Sequence, residues 1–104
     1  MNARWARVWR GSTRIADFDT YAAYLYGDGC LAIKAIPGNL GVQMLRRAVG
    51  NKGEFIVISY WPDLEAIKQF AGVDISLAHP LEKDPLYLLK LPRRVEHFEI
   101  YAPG

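Results

Sequence analysis

Apolar positions change their spacing abruptly along Phe55–Gly72, FIVISYWPDLEAIKQFAG. From Phe55 to Trp61 every residue is apolar or small except for the hydroxyl of Ser59, the pattern of a strand covered on both faces. Pro62 ends that strand and suits the first turn of a helix, where its fixed φ is helical and its missing N–H costs nothing. Leu64, Ile67, Phe70 and Ala71 then recur at helical spacing, and Gly72 is a natural C-terminal stop. Upstream, Ala3–Arg10 alternates, with Trp5 and Trp9 on one face and Ala6 and Val8 on the other, which predicts a first strand. Gly11–Ser12–Thr13 reads as a turn, and Asp17 or Asp19 as the cap of a helix carrying Phe18, Tyr21, Ala22 and Leu25. Gly27–Asp28–Gly29 breaks or loosens that helix, because each glycine costs about 1 kcal/mol relative to alanine. Cys30–Ala35 recovers a turn or two before Pro37–Gly38–Asn39 ends it. Leu40–Val49 is a second strand, joined to the third by a hairpin at Gly50–Asn51–Lys52–Gly53. Pro80, Pro85 and Pro92 divide Val73–Leu91 into short helical or irregular pieces, and Val95–Tyr101 closes the chain as a fourth strand.

The order βαββαβ is the ferredoxin-like, split-βαβ arrangement of the α+β class, a four-stranded antiparallel sheet with both helices on one face. Strand three sets Phe55, Val57 and Trp61 against Ile56, Ile58 and Tyr60, so both of its sides are apolar. One copy of the chain has helices for one side. A second copy packed sheet against sheet covers the other, and a two-fold homodimer is the direct inference.

Composition narrows the partners. A chain of 104 residues forms one domain, 1–104, with a single core. Its net charge of +2 is too small to imply nucleic acid or an anionic membrane as the main partner. No run approaches the roughly 18 apolar residues of a membrane span. Arg4, Arg7, Arg10 and Arg14 interrupt the N-terminal apolar residues, so no signal-peptide core is expected. Cys30 is alone, which excludes an intrachain disulfide and makes the cytoplasm the simplest home. Lys52–Gly53 opens strand three as in RNA-binding sheets, yet Glu54, Ile56 and Ser59 stand where the stacking aromatics belong. Nucleotide-cradling glycines, a closed zinc set, a nucleophile elbow and flavin or nicotinamide motifs are all missing from the sequence. No metal and no cofactor is therefore expected, and any oxidation would draw its electrons from the substrate.

Three stretches, PGNLGVQMLRR (Pro37–Arg47), ISYWPDLEAIKQFAG (Ile58–Gly72) and VEHFEI (Val95–Ile100), resemble the antibiotic-biosynthesis monooxygenase family. The likeness covers most of the chain. It implies a dimeric α/β barrel and an activity among cofactor-independent oxygenases of phenolic polyketides, quinol oxygenases and haem-degrading enzymes; other members have no established activity. In haem-degrading relatives an Asn on strand one, a Trp on helix two and a His beyond it form the site. The resemblance puts Phe70 near that Trp and His79 near that His, while strand one carries no Asn.

The candidate residues each admit two readings. Trp61, at a strand end, either stacks on an aromatic substrate or fills the core. Tyr60 and Phe70 join it around a pocket between sheet and helices. His79, preceding Pro80, is the candidate catalytic base or an axial ligand, or else a solvated loop residue. His97 either binds substrate or sits satisfied at the dimer interface. Arg46–Arg47 and Arg93–Arg94 hold an anionic substrate or are salt-bridged surface pairs. The reading that results is a cofactor-independent monooxygenase of a small aromatic or quinone-like molecule. The alternatives are a non-catalytic dimeric module binding a small hydrophobic ligand, and a haem-binding relative.

Overall fold

The computed structural model describes residues 2–103. Its elements are β1 (Trp5–Arg14), α1 (Phe18–Tyr24), α2 (Leu31–Lys34), β2 (Gly41–Val49), β3 (Lys52–Trp61), α3 (Leu64–Ala71), α4 (Asp84–Tyr87) and β4 (Glu96–Glu99). The strands form one antiparallel sheet in the order β2-β3-β1-β4, which is the ferredoxin-like topology expected.

β1 is longer than its pattern predicts. Gly11–Ser12–Thr13 is strand rather than turn, and β1 pairs with β3 from Trp5↔Trp61 to Arg14↔Lys52. The glycine serves packing: a Cβ on Gly11 would stand 2.5 Å from the Trp9 ring, which folds over it. The β2–β3 hairpin turns where expected, with Gly50 at φ 59°. Asp17 does not cap α1 with its side chain and instead pairs with Arg14 at 3.0 Å. The glycines after α1 loosen the helix without breaking it. Leu25–Cys30 forms a wide π-helical turn that leads straight into α2. α3 begins one step later than Pro62 suggests, because Asp63 is the cap and its Oδ1 accepts the Ala66 N–H at 2.8 Å.

The helices cover the face of the sheet that carries Phe55, Val57, Ser59 and Trp61, all buried, while Ile56, Ile58 and Tyr60 on the other face are half-buried. Two apolar clusters result. One joins Tyr21, Leu25, Cys30, Phe55, Val57 and Leu88; the other joins Trp61, Ile67 and Ala71. Tyr21 meets Phe55 edge-on, with ring centroids 5.1 Å apart. Its hydroxyl donates to Asp84 Oδ1 at 2.9 Å, and Asp84 Oδ2 accepts the Leu81 N–H at 2.9 Å. Burial, reinforced by the Asp84 charge, pushes the Tyr21 phenol well above its usual range. This pair fastens the Leu81–Leu88 segment to α1.

Tyr21→Phe removes the donor and leaves a buried carboxylate oxygen unpaired, a loss of about 1–3 kcal/mol. Urea unfolding should show a lower midpoint at unchanged slope. An unshifted midpoint would mean that this contact contributes nothing to stability.

Candidate functional site

Strand register places one polar row across the helix-covered face. Arg7 on β1 lies opposite Ser59 on β3 and opposite His97 on β4, with the rows of Trp5 and Trp9 to either side. Arg7 is only 6% exposed. Its Nη1 donates to Ile75 O and lies 3.0 Å from His97 Nε2, and its Nη2 donates to Leu77 O at 3.0 Å. The guanidinium also stands 5.5 Å from the centre of the Phe70 ring. Ser59 Oγ accepts the Trp61 Nε1–H at 2.9 Å. The row therefore joins the sheet to the segment after α3.

A cavity lies over this row, between the two apolar clusters. It measures about 80 Å³ and opens to solvent. Arg7, Ser59 and Val57 form its floor, Leu25 and Cys30 one wall, and Phe70 and His79 another. That volume is about half of the roughly 150 Å³ of an engineered cavity that takes up benzene, so a single ring seats partly inside it. Asp84 also lines the cavity, but both of its oxygens are committed to Tyr21 and Leu81.

The predicted residues separate clearly. Phe70 and His79 line the cavity together. His79 is an exposed residue whose ring nonetheless reaches the cavity, with Nε2 held 2.9 Å from Ala71 O. A carbonyl can only accept, so Nε2 carries the proton and the lone pair of the neutral ring is at Nδ1. Trp61 is wholly buried, stacked behind Phe70 at 5.5 Å, and backs the wall without lining it. Tyr60 points to the opposite face and donates to Gln43 Oε1 at 2.6 Å, so it cannot reach the cavity. His97 belongs to the helix-covered face, because its register partner is the inward-facing Arg7. The arginine pairs are surface groups: Arg46 meets Asp19, Arg47 meets Glu54, and Arg94 meets Asp74. Haem does not fit these residues. The cavity is far smaller than a porphyrin, and Nε2 of His79 is already engaged by Ala71 O.

Arg7 is the residue that sequence reasoning missed. The signal was present, since an arginine midway between Trp5 and Trp9 shares their face. A charge on the apolar face of an alternating strand marks a buried polar site.

Burial, and then the Arg7 charge, lower the His97 pKa below its ordinary value of about 6.5. Below that value the unfolded chain binds a proton on this ring that the folded chain refuses, so folding stability falls as pH drops. His97→Gln should flatten the pH dependence of the thermal midpoint between neutral pH and about pH 5. A slope identical to wild type would exclude His97 as its source.

Residues 28–78, about half of the chain, match the family described as antibiotic biosynthesis monooxygenase. No curated protein matches the chain in sequence. Among solved structures, a Nitrosomonas europaea protein of unknown function has TM-score 0.70 and 18% identity, covering 98% of this chain and 93% of its own. A Streptomyces coelicolor monooxygenase in complex with Nanaomycin D has TM-score 0.65 and 14% identity, covering 99% and 92%. A Mycobacterium tuberculosis heme-degrader with two hemes in its active site has TM-score 0.60 and 18% identity, covering 96% and 98%. At these identities the structural likeness establishes a shared fold. The sequence match places residues 28–78 in the antibiotic biosynthesis monooxygenase family, and the structural neighbours share its fold.

Proposed function

We propose that the chain is a cofactor-independent monooxygenase acting on a single-ring quinol or similar small aromatic, at the cavity over Arg7. The observation that carries this reading is that His79 and Phe70 line one cavity together with the apolar Val57 and Leu25. Nδ1 of His79, left as the acceptor by the bond from Nε2 to Ala71, takes the phenolic proton. The quinol anion then reduces dioxygen, and the oxygen joins the adjacent ring carbon as a peroxide. His79 returns its proton to that peroxide, and loss of water leaves a hydroxyquinone. Quinol plus O₂ gives hydroxyquinone plus water, so the substrate supplies every electron and no outside reductant is needed. Phe70 and Val57 hold the ring and limit water around the charged intermediate.

A general base of this kind contributes about 10²–10⁴-fold in rate. His79→Ala should lower oxygen uptake by that factor with a quinol that the wild type is first shown to consume. Equal turnover in the variant would remove His79 from the mechanism, and no uptake by wild type across a panel of quinols would favour a non-catalytic ligand-binding module.

The proposal includes a homodimer. On the uncovered face, Leu45 and Phe98 are 45% and 50% exposed beside Ile56, Ile58 and Tyr60. The Arg10–Glu96 and Arg47–Glu54 pairs rim this surface. A second sheet laid across it would bury about 2,000 Å² or more in total. Sedimentation should return a dimer at micromolar concentration, and a folded monomer there would overturn the two-fold assembly.

A further inference from the structure

Arg7 brings a charge into the cavity that the reaction above leaves unused. A guanidinium has five N–H donors. Nη1 spends its two on Ile75 O and His97 Nε2, and Nη2 spends one on Leu77 O. The Nε–H and one of the two Nη2–H groups make no hydrogen bond to any described residue, and the Nε–Nη2 edge of a guanidinium is one that can take an oxyanion side-on. None of the ion pairs among the described residues includes Arg7. The carboxylate on the same cavity, Asp84, has both oxygens committed elsewhere. Burial lowers the Arg7 pKa to about 10, which still leaves it charged at neutral pH. A buried cation held by carbonyls and one imidazole, with two donors unspent, is a site awaiting a negative charge.

From this geometry we infer that the cavity takes its ligand as a planar aromatic oxyanion, a phenolate or a carboxylate, seated on the Nε–Nη2 edge of Arg7 with its ring against Phe70. The inference rests on the proposed aromatic cavity and names its substrate class. In the proposed reaction it divides two tasks. His79 receives the proton, and Arg7 stabilises the anion left behind.

The test is a binding measurement without oxygen chemistry. 4-Nitrophenol and its neutral ether, 4-nitroanisole, present nearly the same ring and differ in whether they can ionise. Equilibrium dialysis with wild type should show the ionised nitrophenol bound at least about tenfold more tightly than the anisole, as expected for a charge-assisted bidentate contact. The yellow phenolate band of bound nitrophenol should persist to lower pH than that of the free dye. Arg7→Met should abolish both effects, and Arg7→Lys should retain part of them, since lysine keeps the charge and loses the fork. Displacement of nitrophenolate by benzoate would extend the site to carboxylates; failure of benzoate to compete would confine it to phenolates.

Equal binding of the two probes, no binding of either, or an undiminished preference in Arg7→Met would overturn the inference. If Arg7→Met fails to fold, the wild-type comparison of phenolate with anisole decides alone. The two readings fail separately. Anion preference without oxygen uptake from any quinol would sink the oxygenase, whereas quinol turnover without anion preference would sink the role of Arg7.

Discussion

Arg7 enters the sheet in the middle of an apolar face, and the cavity follows from how that charge is accommodated. A guanidinium taken out of water needs acceptors for its N–H groups, and an unpartnered one would be strongly destabilising. Neighbouring strands offer just Ser59 and His97. The remaining acceptors are the Ile75 and Leu77 carbonyls, which lie beyond α3 in a segment with little regular structure of its own. Satisfying Arg7 therefore draws that segment across the sheet. The Ala78 N–H to Arg93 O and Val95 N–H to Ser76 O bonds then hold it beside β4, and His79 follows it to the cavity rim.

The cavity also depends on the core being two clusters rather than one. A row of leucines or valines at Arg7, Ser59 and His97 would let the Phe55 and Trp61 clusters merge and fill the gap. The polar row keeps them apart. The π-helical turn at Leu25–Cys30 adds to this separation, because a widened turn sets Leu25 and Cys30 along the cavity wall where a regular helix would displace them. A less compact core in exchange for a lined, partly wet cavity is a usual compromise at functional sites.

The frame was legible in the sequence because its signals are periodic and local. Alternation in β3, helical spacing in α3 with Gly72 behind it, and the Gly50 hairpin all depend on residues near one another in the chain. Errors arose where a distant side chain decided the outcome. Gly11 reads as a turn until the Trp9 ring is seen to occupy the space of its missing Cβ. His97 admits both a substrate-binding and an interface reading until the β1–β4 register sets it beside Arg7. Tyr60 and Trp61 are adjacent in sequence and therefore point to opposite faces, so both could not serve one pocket; strand period alone excluded one of them. Trp61 then lost its place at the cavity to Phe70, which stacks in front of it, a relation set by where α3 docks.

Belonging to a family fixes the frame here more firmly than the chemistry, and the polar row is the reason. The ferredoxin-like sheet requires apolar residues at most helix-facing positions, but it tolerates any residue at the central row whose polar groups can be satisfied by the segment above. In haem-degrading members the resemblance places a neutral Asn on the first strand and a Trp on the second helix. In this chain the inward polar residue of β1 is Arg7, and Phe70 is the aromatic residue facing it. A neutral amide and a buried cation impose different electrostatics on the same volume, and a cation in a low-dielectric cavity discriminates by charge before it discriminates by shape. On the proposed reading, ligand choice follows the charge carried at this one inward position of the central strand, and the sheet and the segment above it serve to hold that charge in place.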